Sequence, residues 1–249
     1  MDTISHLLLP STRRCGLHPT GTGRSSTLNS VNDSLDSNET RSERKRRQVI
    51  EAAREHFLAN GYERTSMDDI AKTAGVSKQT VYQHFDTKSA LLTQVVRSII
   101  GAAGAEADAP IAKLAETNAL TRDLRVYARA QLRSVIQPAP MRLRRLIVAE
   151  AQTFPELAQL FYELGPQSTI DQLTIAIERL HDRKVIVAPD ARRAAADLNW
   201  LVLSDAINRA MFLGIDEPLT EHQIRTHADH ACATFLSAYR TTKPKTARQ

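Results

Sequence analysis

The stretch from Thr65 to Phe85 constrains the fold most, because it contains two short helical patterns joined by a glycine turn. Ser66 precedes the first pattern and Ser77 the second, and serine is a favoured N-cap residue. Gly75 lies between them, where a positive φ costs glycine little. Ala71 is small enough for two helices to cross closely. The spacing therefore predicts a helix-turn-helix.

The second helix of this motif has one buried and one polar side. With Val81 in the core, Gln79 and Gln83 point away from it at about 100° per residue. Lys78, Thr80, Tyr82 and His84 flank the two glutamines, and none of these side chains is a carboxylate. Glutamine can bond adenine edges in the major groove. This surface predicts DNA binding.

Phosphate contacts are predicted from hydroxyl and basic groups around the motif. Thr65, Ser66 and Tyr82 can donate hydrogen bonds to phosphates, as can Lys88. Arg44 belongs to a basic cluster at the start of the preceding helix, which is either a clamp on the DNA backbone or an ordinary solvated face. The net charge of +5 is spread along the chain, so these local patterns carry the prediction.

The rest of the chain also shows helical periodicity, so the predicted fold class is all-α. A helix-turn-helix domain is predicted at 40–102 and a helical effector-binding and dimerisation domain at 103–240. Gly101–Pro110 is expected to be a small-residue linker between them. Prolines then separate helices expected at 111–118, 120–137, 140–153, 156–164, 167–183, 190–213 and 220–240.

Two terminal segments are predicted to be flexible. Residues 1–39 are rich in Ser, Thr, Asn and Gly and have no apolar stripe, so they cannot bury enough surface to offset the entropy of ordering. A misassigned start codon would produce the same pattern. Residues 241–249 are expected to form a frayed tail.

Residues 41–96 resemble the DNA-binding domain of the TetR family of one-component bacterial regulators. The matching positions are Phe57, Gly61-Tyr62, Thr65-Ser66, Ile70-Ala71, Ala74–Ser77 and Thr80–Leu92. The resemblance implies contacts to bases or phosphates from Lys78, Gln79, Thr80 and Gln83, and contacts to phosphates from Thr65, Tyr82, His84 and Lys88. Ser77, at the start of the recognition helix, is included in the predicted surface. Asp68 stands where some family members carry a basic residue, so no base contact is predicted there.

The remainder resembles the AefR-like class of regulatory domains, through Arg145–Ala158 and Phe161–Pro166. That resemblance implies an all-helical domain that binds a small-molecule effector. The last two helices of each protomer, predicted at 190–213 and 220–240, would pack as a four-helix bundle in a homodimer. Ala194, Leu198 and Val202 are expected to lie on the apolar side of the first. A twofold dimer implies a palindromic double-stranded operator. The resemblance to the family also implies that the protein is a repressor.

Candidate pocket residues for an apolar or amphipathic ligand are aromatic or polar side chains in the second domain. Trp200 combines an aromatic body with one donor, although ordinary core or dimer packing is the favoured role for it. The full set of candidates is Tyr127, Gln131, Glu150, Phe154, Phe161, Tyr162 and Trp200.

No metal, cofactor or disulfide is predicted. His227 and His230 share a helix face, but no carboxylate or cysteine completes a compact ligand set with them. Cys15 and Cys232 have no partner spacing, which fits a reducing compartment.

Other functional classes have weaker support in the sequence. No apolar run approaches the ~18 residues of a transmembrane helix, so a cytoplasmic protein is expected. No P-loop, nucleophile elbow, dinucleotide fingerprint or zinc-protease motif occurs, so the chain is not predicted to be an enzyme. The alternatives left open are a non-specific architectural DNA-binding protein and an all-helical enzyme built from scattered Asp and His residues.

Overall fold

The computed structural model describes residues 40–214 and 217–240, and every regular element among them is helical. The predicted flexible segments 1–39 and 241–249 lie outside the described residues. An all-α fold is therefore confirmed for the described part of the chain. None of its helices is both long and apolar enough to cross a membrane.

The helices follow one another with short connections, and a π-helical turn at Glu163–Gln167 joins two of them. In chain order they are α1 (Arg41–Asn60), α2 (Met67–Thr73), α3 (Lys78–His84), α4 (Lys88–Leu114), α5 (Leu120–Val135), α6 (Pro138–Glu150), α7 (Pro155–Tyr162), α8 (Ser168–Asp182), α9 (Ala191–Leu213) and α10 (Glu221–Tyr239).

Three hydroxyl side chains start the helices of the DNA-binding motif. Ser66, Ser77 and Thr87 are the N-caps of α2, α3 and α4, and each accepts a hydrogen bond from the backbone N–H three residues ahead, at 3.0–3.1 Å. Each cap satisfies a backbone donor that a helix start would leave unpaired. The predicted starts of α2 and α3 are confirmed.

Gly61 and Gly75, on either side of α2, both have a left-handed backbone, which the sequence predicted at Gly75. Gly61 has φ of +81° after α1, and Gly75 has φ of +65° after α2. In the second turn the Val76 N–H donates to the carbonyl of Ala71 at 3.1 Å, which returns the chain toward the crossing point of α2 and α3. Glycine adopts this conformation without the penalty that a Cβ brings.

Two hydrophobic clusters organise the packing. The first joins α1–α3 and the first half of α4 to parts of α6 and α7, with Phe57, Ile70 and Val81 buried at its centre. The second joins the end of α4 to α5, α8, α9 and α10. The first cluster therefore holds the DNA-binding motif against α6 and α7 of the second domain.

The predicted linker at Gly101–Pro110 is wrong, because α4 runs without interruption to Leu114. Five of these ten residues are alanine, the residue with the highest helix propensity, and this outweighs the two glycines. The helix predicted at 111–118 is the last turn of α4, and the predicted domain boundary at residue 102 falls inside this helix.

The predicted break at Pro166 is also wrong. The helical path is continuous from Pro155 to Asp182, and Pro166 lies inside the π-helical turn. Proline has no N–H, and its ring clashes with the carbonyl four residues before it in a regular α-helix. A wider turn accommodates both effects, and such turns recur at functional sites. Pro138 and Pro155 begin helices, as expected.

Candidate nucleic-acid interface

Helix α3 has one buried side and one exposed polar side. Val81 is completely buried and Phe85, just after the helix, is 4% exposed. Gln79 and Gln83 are both exposed, and 43% of the surface of Tyr82 is exposed. This arrangement agrees with the predicted wheel, and it leaves two amides and a phenol accessible on one helix face.

A carboxylate from α2 lies beside this surface. The ammonium of Lys78 is 2.8 Å from a carboxylate oxygen of Asp68, and both side chains are more than half exposed. The hydrogen bond and charge of Asp68 raise the pKa of Lys78. The predicted contact of Lys78 with a base or phosphate stays a prediction, and it would require Lys78 to leave Asp68, the residue at which the sequence departs from some family members.

The hydroxyl groups of Ser66, Ser77 and Thr80, around the motif, form hydrogen bonds within the protein. The Ser66 hydroxyl donates to Asp69 at 2.6 Å and lowers the pKa of that carboxyl, so its proton is already used. The hydroxyls of Ser77 and Thr80 lie 2.8 Å apart and share a hydrogen bond. Ser77 and Ser66 are exposed and Thr80 is half-buried. The DNA contacts of these three residues stay predictions. In this structure the Ser66 hydroxyl donates to the Asp69 carboxylate, and its oxygen accepts from the Asp69 backbone N–H as the N-cap of α2.

The Thr65 hydroxyl has hydrogen-bond partners inside the protein, and its predicted phosphate contact stays a prediction. Thr65 is 3% exposed, and its hydroxyl lies 2.7 Å from the carbonyl of Gly61 and 3.2 Å from that of His56. A hydroxyl has one proton to donate, and here both nearby acceptors are backbone carbonyls. Thr65 therefore fixes the loop between α1 and α2.

Lys88 also has an internal role that the sequence did not predict. Its ammonium donates to the carbonyls of Tyr62 and Thr65 at 2.9 and 3.1 Å, and it lies 4.2 Å from the centroid of the Tyr62 ring. An ammonium has three N–H donors, so one is left for a phosphate. Lys88 therefore joins α4 to the loop before α2, and the predicted phosphate contact is at most its secondary role.

The remaining predicted DNA contacts come from the edges of the motif. Arg44 is exposed on α1, and His84 is half-buried at the end of α3. Arg46, from the same basic cluster, donates to Gln94 at 3.1 Å and lies 5.3 Å from the centroid of the Phe85 ring. Arg46 thus holds α1 against α4, whereas Arg44 and His84 stay predicted contacts.

A cavity of about 200 Å³ lies where the two hydrophobic clusters meet. Its walls come from α4 to α9 and include the π-helical turn. Among the lining residues are Ile99, Ile100, Asp108, Gln131, Leu143, Arg144, Phe161, Gly165, Asn199 and Leu203.

Two of the seven predicted pocket residues line this cavity, namely Gln131 and Phe161. The prediction is wrong for Tyr127, which is completely buried and packed in the core. Phe154 lies outside this cavity: its ring packs edge-on against Tyr62 at a centroid distance of 4.7 Å, and both residues line a separate pocket beside α4 and α7. Its predicted role stays a prediction.

Three further pocket candidates lie outside this cavity. Trp200 is 39% exposed on α9 and Tyr162 is 49% exposed at the end of α7. Glu150 is half-buried at the end of α6 and is not a lining residue of the cavity. Helical periodicity identifies apolar faces, but it does not tell a cavity wall from a tightly packed or exposed side chain.

Sequence reasoning missed two polar residues of the cavity. Arg144 lies 5.0 Å from the centroid of the Phe161 ring, and burial lowers its pKa. Asn199 is completely buried, and neither amide atom has a hydrogen-bond partner among the described residues. Arg144 is one of three arginines within four residues, so only the packing of α6 could distinguish it. Asn199 could have been identified from the sequence, because it is an amide on the otherwise apolar side of α9.

His227 and Cys232 of α10 are both engaged within the second domain. A ring nitrogen of His227 lies 2.8 Å from the carbonyl of Val202, which connects α10 to α9. Cys232 is buried, and burial raises the pKa of its thiol to about 11. Across 40–214 and 217–240, no three His, Cys, Asp or Glu side chains come together as a metal ion would need.

The apolar side predicted for contact between protomers is buried inside the single chain. Ala194, Leu198 and Val202 belong to the second hydrophobic cluster and have no exposed surface. The apolar side chains that α9 does expose include Phe212 at 85% and Leu213 at 63%, together with Trp200. The predicted dimer therefore needs the other side of this helix.

Comparisons with known proteins agree with this architecture. Residues 49–95 match the model of bacterial regulatory proteins of the tetR family, and residues 122–241 match the C-terminal domain of AefR-like transcriptional repressors. A solved structure from Mesorhizobium loti MAFF303099, assigned to the TetR family, is 34% identical with a TM-score of 0.76; the match covers 82% of this chain and 100% of that one. The flavonoid-responsive regulator FrrA is also 34% identical, with a TM-score of 0.67 and coverage of 80% and 99%.

The curated relatives FasR and TtgR match this chain over short stretches of 53 and 54 residues. The HTH-type transcriptional activator FasR of Mycolicibacterium smegmatis is 45% identical over 53 residues, which are 21% of this chain and 24% of FasR. The match to the regulator TtgR of Pseudomonas putida similarly spans 26% of that protein. Full-length similarity comes from the solved structures, two of which are 34% identical over nearly their whole chains. The chain therefore belongs to the TetR family of transcriptional regulators, with an AefR-like C-terminal domain.

Proposed function

We propose that this protein is a sequence-specific transcriptional regulator that inserts α3 into the major groove of double-stranded DNA. The exposed face of α3 carries this proposal, because Gln79 and Gln83 point to solvent from a helix anchored by the buried Val81. Glutamine amides can donate to and accept from the same base, which distinguishes base pairs in the major groove. Such a regulator acts in the cytoplasm, where bacterial DNA is accessible.

The functional unit is a homodimer on a palindromic operator. The exposed apolar surface of α9 at Trp200, Phe212 and Leu213 supports a contact with a second copy through α9 and α10. A twofold dimer presents two copies of α3 to half-sites about one helical turn apart, and this geometry requires an inverted repeat.

A small-molecule effector in the cavity controls the spacing of the two recognition helices. Ile99 and Leu143 line the cavity and also belong to the hydrophobic cluster of the DNA-binding motif. A ligand that changes the packing of these side chains also changes the position of α4 and α6 relative to α3. Because packed cores adopt discrete arrangements, a small shift at the cavity can move the whole motif.

We propose that the protein represses transcription and that binding of the effector releases it from the operator. The AefR-like model that matches 122–241 describes repressors, whereas FasR, which matches over 53 residues, is named as an activator. FrrA is named as flavonoid-responsive. Together with the aromatic wall at Phe161, this favours an aromatic effector for the present cavity.

Footprinting of the intergenic DNA next to the protein's own gene, at physiological salt, tests this function. A discrete protected inverted repeat is the expected result. Uniform coating that disappears as salt is raised would instead support a non-specific architectural protein, which depends on counterion release. If no DNA tested is protected, the proposed role as a DNA-binding regulator is refuted and the enzymatic alternative is left.

A further inference from the structure

The amide of Asn199 is the least satisfied polar group around the cavity. Its residue has no exposed surface, and both its nitrogen and oxygen lack a hydrogen-bond partner among the described residues. A buried polar group without a partner costs about 1–3 kcal/mol. Since α9 is otherwise apolar on this side, a hydrophobic residue would give a more stable protein. The amide is therefore better explained by something that occupies the cavity.

Arg144 lies in the same cavity wall and lacks an acidic partner. Among the described residues no carboxylate lies within ion-pair distance of its guanidinium, and Asp108, which also lines the cavity, forms no pair with it. The guanidinium is held over the Phe161 ring instead, and burial lowers its pKa. A desolvated cation that has only an aromatic face beside it attracts an anion strongly.

The other walls of the cavity are apolar. Ile99, Leu143 and Leu203 contribute aliphatic surface, and Phe161 contributes an aromatic ring. The π-helical turn brings the backbone at Gly165 close to α4, where an added Cβ would be 4.0 Å from Ile100. A cavity of about 150 Å³ lined by such residues accepts benzene, so 200 Å³ fits a compound of one or two rings.

We propose that this cavity binds a small aromatic acid, with the carboxylate paired to Arg144, the ring beside Phe161 and a polar group bonded to the Asn199 amide. Arginine offers only donors, in a planar fork that matches a carboxylate. Asn199 and Gln131 each offer a donor and an acceptor, so they can bind hydroxyl or carbonyl substituents. This inference rests on the proposed function, because it names the chemical class of the effector.

Matched acids and amides test the proposal on the purified full-length protein. Calorimetric titration at neutral pH uses three pairs of equal shape: benzoate and benzamide, cinnamate and cinnamamide, 2-naphthoate and 2-naphthamide. In at least one pair the acid is expected to bind at least about tenfold more tightly than its amide, since a hydrogen bond to a charged group is worth this much. Equal affinity within every pair that binds, or no binding of any acid, overturns the proposal.

Two variants identify the responsible arginine. Arg144→Met is expected to remove the preference for the acid, whereas the matched control Arg142→Met, on the exposed side of the same helix, is expected to keep it. Should Arg144→Met fail to fold by circular dichroism, Arg144→Lys keeps the charge but not the fork and should reduce the preference severalfold. An unchanged preference in either Arg144 variant refutes the assigned role.

Failure of this inference differs from failure of the proposed function. Operator footprinting is carried out without any acid, so a discrete footprint combined with equal acid and amide affinities overturns only the ligand class. Loss of the footprint, with the preference for acids intact, overturns the DNA-binding role and leaves the cavity assignment standing.

Discussion

Replacing Asn199 by leucine should make the protein more stable and a poorer binder of its ligand. The substitution removes a buried amide whose two polar atoms have no partner among the described residues. Leucine is slightly larger, and the adjoining cavity can accept the extra volume. A merely structural asparagine would have the opposite effect, because its loss would break hydrogen bonds.

The magnitude follows from the cost of an unpaired buried group. Removing the amide should raise the free energy of unfolding by about 1–3 kcal/mol, reduced by any strain that the larger side chain introduces. For a chain of 249 residues each kcal/mol corresponds to a shift of about 2–4 °C in Tm. The expected result is therefore a rise in Tm of several degrees, together with weaker binding of the acids that bind to the unmodified protein.

Urea denaturation at a fixed protein concentration measures this change in the free energy of unfolding, and an unchanged m-value shows that the folded state is comparable. Asn208→Leu is the matched control, because Asn208 is exposed on the same helix and its amide donates to the Ser204 carbonyl. It should shift stability by less than about 0.5 kcal/mol. A loss of more than about 1 kcal/mol in Asn199→Leu would refute the reasoning, since it would mean that the amide is satisfied in solution.

Three further predictions concern the DNA-binding motif and the core. Gly75→Ala should cost about 1–2 kcal/mol in urea denaturation, entirely from the positive φ, because nothing lies within 4 Å of an added Cβ. Asp68→Asn should tighten operator binding roughly two- to fivefold in anisotropy titrations by releasing Lys78, and an equal gain in a Lys78→Met background would refute this. The Arg122 hydrogen bond holds the pKa of the buried Asp123 at about 2. The stability that this carboxylate contributes above pH ~4 should therefore be lost as the pH falls toward ~2. Urea midpoints measured across that range should show this loss in the wild type and a flatter dependence in Asp123→Asn.

The DNA-binding motif was predictable because its signals are local. Ser66 and Ser77 cap helices within three residues, and Gly75 sets a turn by its own φ. Val81 then fixes which side of α3 faces the core. The internal roles of Thr65 and Lys88 were not predictable, because both depend on loop carbonyls whose direction only the folded chain determines.

The cavity could not be predicted, since its walls come from segments separated by more than a hundred residues. Its shape depends on two features that contradicted simple rules. The alanines of Gly101–Pro110 continue α4 as a helix, and the proline at 166 widens a turn instead of ending a helix. Glycine and proline discourage a helix at these positions, but the neighbouring alanines and tertiary packing decide whether it continues.

The central claim is tested most directly by binding measurements on every single-base-pair variant of the footprinted operator. The wild type and Gln83→Ala are compared on each variant. If α3 contacts base edges, the wild type should lose about 1–3 kcal/mol at specified positions, and Gln83→Ala should lose its preference at one base pair in each half-site with the salt dependence unchanged. Equal weakening by Gln83→Ala on every variant would show that Gln83 does not read bases, and would contradict the account.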